Sequence, residues 1–589
     1  MKNSANSKSP DREFERWKQK YVFAKDAFEE IKAKMDKREK LYRGTREIDG
    51  ANGGQAKDAT HVRNIIFENI EAQIDPTIPR PKVQAKRKED EPLARKIENM
   101  LRNKLDQLPF EMMNDLQERT VPIQGGAYFL IEWDNTRRKH GAVGDITVCA
   151  EHPKQVIPQP GIYTSVEEMD YIFLESAQTK DYVKRRYGKD VSEESESVPE
   201  IRSMTDDGSK EIVTVVTGYF RNGSGGIGRI VFVNDTLLEY LEDYQARYLY
   251  RCRKCGKPGK DRCEYCNSNS FELCVREEEE IFEDLKLPSG SVFGQRKIPF
   301  YKPDMYPVIL RKNVSVYGQL LGNSDVDCMS DQQNDIKKLS TKISEKLLKG
   351  GSILTLPSEL CVETTDEEFK IVRVDSPDKM NMMRVFNVQA DISGDLTYLS
   401  QLYDEARQTI GITDSFQGRN DVTAISGVAK KFAAAQTAGR LESKRVMKQA
   451  AYASLFELMF KYMLAYADEP RPVTHPDDRG NTKYEEFNRY DFLREDSSGE
   501  LYWNDDFVFS CDTTSTLDSN REAMWEETRK NLAEGVYGPP SSVDTLILFW
   551  RNMELLHYPG ASETKRFLTE NGIAAGAAAA ADVTDIAAK

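Results

Sequence analysis

The chain has 589 residues, 31% charged and 39% hydrophobic, with a formal net charge of −14. That length can carry several domains and a sizeable core. The acidic balance excludes a protein that grips DNA phosphates with its whole surface, though not one past which DNA slides.

No apolar run reaches the roughly 18 residues needed to cross a membrane, and the polar opening Met1-Lys-Asn-Ser predicts no secretory signal. Nine cysteines, four of them in one cluster, suit a reducing cytoplasm better than a disulfide framework.

Phe14, Trp17, Tyr21, Ala24, Phe28, Ile31, Met35 and Tyr42 recur at helical spacing, which predicts a long amphipathic helix ending near Gly44. Residues 45–60 read as a Gly/Asn-rich loop, and Ile65 to Ile74 as a short buried helix stopped by Pro76 and Pro79. Helices are predicted over Pro92 to Leu108 and Phe110 to Thr120. From Gly126 the texture becomes β: Tyr128 to Trp133 and Asp145 to Cys149 read as strands around a charged turn, Asp134 to Gly144. Tyr171 to Glu175 is a third strand, Val183 to Tyr187 a short helix, and 191–210 a Ser/Glu/Asp-rich mobile loop. Glu211 to Phe220 and Gly228 to Val233 form a predicted hairpin.

Cys252, Cys255, Cys263 and Cys266 follow as C-x2-C-x7-C-x2-C. Each C-x2-C can place two thiolates on one side of a metal, and two such knuckles complete a tetrahedron, which predicts one structural zinc per chain; iron in the same S4 geometry and plain free thiols are the alternatives. Arg251, Arg253, Lys254, Lys257, Lys260 and Arg262 offset the thiolate charge. The site reads as a staple for an insertion over 245–285 that is too small for its own core. The competing reading is a zinc ribbon that touches nucleic acid through those cations, against which Glu277 to Glu280 stand just downstream.

Val308 to Leu310 reads as a strand. A helix from Asp325 places Val326, Met329, Ile336, Leu339, Ile343 and Leu347 on its apolar face, and Lys337, Lys338, Lys342, Lys346 and Lys349 elsewhere, as a solvated row. After Gly350-Gly351 come three short predicted strands, Ser352 to Leu356, Phe369 to Val374 and Met383 to Val388. Ile392, Leu396, Leu399, Tyr403, Ala406 and Ile410 define a second helix that ends at Gly411. A polar loop, Thr413 to Ala424, leads to Ser426, which can cap a helix free of proline until Pro470. That helix begins slim, with Ala433, Ala434, Ala435, Ala438 and Gly439, and from Ala450 to Tyr466 is apolar on nearly every side, as for a helix at the centre of something large. Arg489 to Leu493, Leu501 to Trp503 and Asp506 to Phe509 read as strands, Asp518 to Leu532, Val543 to Leu556 and Ser562 to Glu570 as helices, and the Ala-rich tail as frayed.

There is no G-x-x-x-x-G-K-[ST] phosphate loop, and His61, His140, His152, His475 and His557 are scattered without H-E-x-x-H, so the sequence does not read as an enzyme.

Gly411-Ile-Thr-Asp-Ser-Phe416, Gly418 and Ile425-Ser-Gly-Val-Ala-Lys-Lys431 at the head of a long helix resemble the portal proteins of tailed double-stranded DNA bacteriophages. So do Tyr306-Pro-Val308, Gly322-Asn-Ser-Asp325 and Ser330-Asp-Gln-Gln-Asn-Asp-Ile336. The resemblance covers about 160 residues well, and the rest in the order of elements alone. It implies an α+β subunit: a wing over 1–305, a strand and first stem helix over 306–349, a clip over 350–390, and a second stem helix over 391–411. A channel loop over 412–425, a long central helix over 426–467, a β-hairpin returning to the wing over 468–515, a helical crown over 516–572 and a flexible tail over 573–589 complete it. It further implies a ring, dodecameric in the family, at one capsid vertex of the virion, assembled in the host cytoplasm. Partners would be double-stranded DNA in the channel, the terminase large subunit, head–tail adaptors, and major capsid and scaffolding proteins, with no membrane. The channel would be lined by Asp414, Phe416, Gln417, Arg419, Asn420 and Asp421, with Lys337, Lys338, Lys342 and Lys346 on the stem. The alternative is a zinc-ribbon nucleic-acid-binding factor on a helical scaffold.

Overall fold

A computed structural model describes residues 10–48, 58–139, 142–191, 212–223, 225–255, 266, 271–276, 278–280, 297–349, 351–355, 384–388, 391–411, 427–476, 482–497, 499–511, 521–539, 542–556, 558, 560–561 and 564–569. The fold is mixed α+β with several small antiparallel sheets. Its helices are α1 (Pro10–Arg43), α2 (Ile65–Glu71), α3 (Glu91–Gln107), α4 (Phe110–Gln124), α5 (Lys180–Tyr187), α6 (Asp325–Lys349), α7 (Ser393–Ile410), α8 (Gly427–Tyr466), α9 (Arg521–Ala533) and α10 (Val543–Leu555).

The second half of α8 is the centre. Tyr452, Leu455, Phe456, Leu458, Met459, Phe460, Tyr462, Met463 and Leu464 are fully buried on successive faces, because α3, α4 and strands from distant parts of the chain pack around them. Burying each such side chain contributes about 1.5–3 kcal/mol relative to exposure. A three-stranded sheet, Val308–Lys312 beside Gly126–Lys139 beside Ala142–Glu151, packs on this core. The pair Pro81–Ala85 and Phe507–Cys511 does so too.

A separate five-stranded antiparallel sheet runs in the order Val156–Pro158, Tyr171–Thr179, Ile212–Arg221, Ile227–Val233, Thr236–Leu241. The predicted hairpin lies inside it. The first half of α1 crosses this sheet, with Phe14, Trp17 and Tyr21 edge-on to or stacked on Phe173, Phe220 and Phe232. Tyr244 joins sheet to core through a hydroxyl contact of 3.1 Å with Tyr462.

Several expectations need correction. Arg489 to Leu493 is not one strand: the Asn488 side chain accepts from the Tyr490 amide at 3.1 Å and caps a 3-10 turn, Arg489–Phe492, before the strand Leu493–Glu495. The charged turn after Trp133 is shorter than expected, since the strands continue to Lys139 and resume at Ala142, with a register shift between Asp134 and Arg138. Thr236–Leu241, Arg471–Pro476 and Thr482–Phe487 are further strands that periodicity did not single out. The 369–374 strand and most of the 191–210 loop lie outside the described residues.

Two glycines fix how α4 hands over to α6. Gly125 ends α4 at φ 87°, and a Cβ there would stand 2.1 Å from the Gly322 carbonyl oxygen. Gly322 donates its amide to the Gly125 carbonyl at 2.9 Å, so the two backbones cross with no room for a side chain. The next three residues close the junction. The Asn323 amide bonds the Val314 carbonyl at 2.8 Å, the Ser324 hydroxyl donates to Ile123 and accepts from the Val326 amide, and Asp325 accepts from Asn313 at 2.9 Å.

Candidate functional site

The cysteine cluster stands on a hairpin, Arg247–Cys252 paired with Phe271–Arg276, in which Cys252 faces Phe271 and Arg247 faces Arg276. The foot of the hairpin is one arginine. Arg247 donates to both carboxylate oxygens of Asp468 at 2.6 and 2.7 Å and to the Ala465 carbonyl at 2.7 Å, where α8 ends. Its guanidinium also lies over the rings of Phe300 and Tyr466.

At the hairpin's end the sulfurs of Cys252, Cys255 and Cys266 lie within 4.8 Å of one another, with Cys252 and Cys266 3.3 Å apart. Zinc bonded to sulfur at about 2.3 Å in a tetrahedron sets sulfurs about 3.8 Å apart, so this donor set fits a divalent metal. Burial on its own raises the Cys252 thiol. Hydrogen bonds from the Cys255 and Lys254 amides, and from the Cys266 and Cys255 sulfurs, outweigh burial and bring it down to about 6. Cys511 is the contrast: buried without such donors, it is pushed up to about 12. Cys263 lies outside the described residues, as do Lys257, Lys260 and Arg262.

Helices α6 and α7 lie side by side. Lys342 reaches Asp395 at 3.4 Å, Lys346 pairs with Asp395 and reaches the Asp391 carbonyl at 3.4 Å, and Lys338 sits 3.5 Å from Asp335 on its own helix. Lys337 departs from the solvated row: it is 1% exposed and donates to the Glu47 carbonyl at 3.3 Å. It shares a helix row with Gln333 and Thr341, which the chain around Glu47, Thr60 and Ile65 covers. Leu347, expected on the apolar face, is 57% exposed. Beyond α6 the chain pairs Gly351–Thr355 with Arg384–Val388 before entering α7. The residues expected to line a channel, Asp414, Phe416, Gln417, Arg419, Asn420 and Asp421, lie outside the described residues.

A buried ionic cluster escaped the sequence reading. Lys448, 2% exposed on α8, reaches Glu118 at 3.0 Å, the Thr77 carbonyl at 2.7 Å and Asp75 at 3.2 Å, while Arg311 holds Glu118 at 2.6 Å. Burial would raise the Asp75 carboxyl, but the Lys448 ammonium and hydrogen bonds from Thr77 hold it below the usual carboxylate range. The signal available was a lysine just ahead of the all-apolar half of α8.

No protein-family model matches this chain, and no curated protein matches it. No helix among the described residues is long and apolar enough to cross a membrane.

Proposed function

We propose that the chain is the subunit of a phage portal, a ring through which double-stranded DNA enters and leaves a capsid. The observation that carries this reading is the succession α6, an antiparallel pair of short strands, α7 and then the 40-residue α8, with α6 packed along α7 and the far half of α8 in the core. That is the stem–clip–stem–central helix order expected from the family resemblance. A ring needs two different faces that close on each other. Docking of a terminase, adaptors and capsid belongs to the same proposal.

The loop over 412–425 would then line the bore. Arg419 is offset there by Asp414 and Asp421, while Gln417 and Asn420 offer weak, sequence-blind hydrogen bonds that let phosphates go, and Phe416 is an apolar exception in the loop. The metal is zinc, one per chain, with Cys263 as the fourth ligand to Cys252, Cys255 and Cys266, serving as a staple. The test is the mass and shape of the purified chain: light scattering and negative-stain images should give a closed ring with an axial hole. One or two chains at every concentration sinks the portal reading, and no zinc after metal-replete expression sinks the staple.

A further inference from the structure

At the end of the cysteine hairpin the strand Arg247–Cys252 finishes in a buried thiol. Cys266, which precedes the facing strand Phe271–Arg276, lies 3.3 Å from it, sulfur to sulfur. Two thiolates on one tetrahedral zinc stand about 3.8 Å apart, so this pair is already closer than a shared metal would set it. A disulfide bond is about 2.05 Å long, and rotation about the two Cα–Cβ bonds is the motion that closes such a gap.

The three sulfurs differ in how solvent reaches them. Cys255 is exposed, Cys266 part-exposed and Cys252 buried, so an oxidant from water meets the first two and Cys252 acts second, from inside. A bond from Cys252 to Cys266 joins the two limbs of the hairpin at the last paired residue. A bond from Cys252 to Cys255 would only close a turn at the end of one limb and leave the other loose. The other described cysteines stand on separate elements: Cys149 on the strand Ala142–Glu151, Cys328 on α6 and Cys511 on the strand Phe507–Cys511.

We propose that Cys252 and Cys266 are a peroxide-oxidised pair: once the site has lost its metal they join as a disulfide, which holds the end of the hairpin in the metal's place. The proposal deepens the zinc reading and rests on it for the reduced, metal-held state. In the first step the Cys266 sulfur attacks one oxygen of hydrogen peroxide, the O–O bond breaks, and a sulfenic acid forms as one water leaves. In the second the Cys252 sulfur attacks the sulfenic sulfur, the S–O bond breaks, and a second water carries off the thiol proton. Two thiols and one peroxide thus give one disulfide and two waters, with two electrons passing from sulfur to oxygen. A bound metal occupies the same sulfur lone pairs and holds both steps off.

The test takes the full chain, strips it with a chelator, adds equimolar hydrogen peroxide, blocks remaining thiols with N-ethylmaleimide and digests without reduction. Trypsin and chymotrypsin cut after Arg253, Lys254, Arg262 and Tyr265, so every cysteine of the cluster falls on its own peptide. Mass spectrometry should find the Cys252 peptide linked to the Cys266 peptide, in the parent and in Cys255→Ser, and not in Cys252→Ser or Cys266→Ser. Cys149 and Cys328, both exposed, should stay unlinked. Amide exchange in 248–252 and 271–276, fast after chelation alone, should slow at least about tenfold once peroxide is added. The proposal fails if Cys252–Cys255 or Cys263–Cys266 is the main link, if oxidation reaches the sulfinic acid with no link, or if those amides exchange as fast after peroxide as before. Elemental analysis separates the two readings: a chain purified without zinc overturns the metal staple, while the peptide map still decides the disulfide.

Discussion

Around Phe460 the neighbours are Phe492, Phe507 and Phe509, with ring centroids 5.2–5.7 Å away, brought from strands and turns well downstream of α8. At the cysteine hairpin the cohesion comes instead from three sulfurs at one end and Arg247 at the other. The core gains its stability from area removed from water, spread over many side chains. The hairpin concentrates its stability in a few strong, directional contacts. Changes in the first should therefore be felt across the whole protein, and changes in the second should stay local.

The sharpest way to break that contrast is Phe460→Ala, which should lower global stability by about 3–5 kcal/mol in a denaturant titration. A loss below about 1 kcal/mol would mean the core is far more plastic than its packing indicates. Arg247→Ala removes charge-assisted bonds of the kind that contribute about 1.5–3 kcal/mol. The cost should show as faster amide exchange in 248–252 and 271–276 while the main unfolding transition barely moves.

Acid should act through α1. Burial would raise the Glu39 carboxyl, but hydrogen bonds and charge from His152 and Lys154 bring it to about 2, with His152 at 3.0 Å and Lys154 at 2.9 Å. A folded-state pKa below the unfolded value of about 4.3 gives stability that is present above that value and lost as pH falls toward 2. Glu39→Gln should flatten the stability-against-pH curve between those limits, and an unchanged curve would remove this clasp from the account. The smallest global effect is expected from chelation: stripping the zinc proposed for Cys252, Cys255 and Cys266 should release the hairpin's amides and leave the midpoint of unfolding within about 1 °C. A large drop would show that the knuckle and the core are one cooperative unit.

How much of this was legible follows the same division. Helical periodicity carries α1, α3, α6 and the buried half of α8, since apolar burial writes itself as spacing; the cysteine spacing points to a cluster, of which Cys252, Cys255 and Cys266 come together in the structure. Contacts between distant segments leave no local trace. The pairing of Pro81–Ala85 with Phe507–Cys511, the burial of Lys337 under the chain at Glu47, and the Lys448–Glu118–Arg311 cluster depend on which parts of the chain meet.

The Gly125–Gly322 crossing has a mechanical consequence. Helix α6, the arm of this junction, begins three residues after a backbone contact that admits no side chain, and Ser324 and Asp325 bond straight into the end of α4 and to Asn313. No slack lies between arm and body, so tension applied to the far end of α6 arrives at the core undiminished. In a single-molecule pulling record, arm and core should rupture in one event. Gly322→Ala, by prising the crossing apart, should split that event in two.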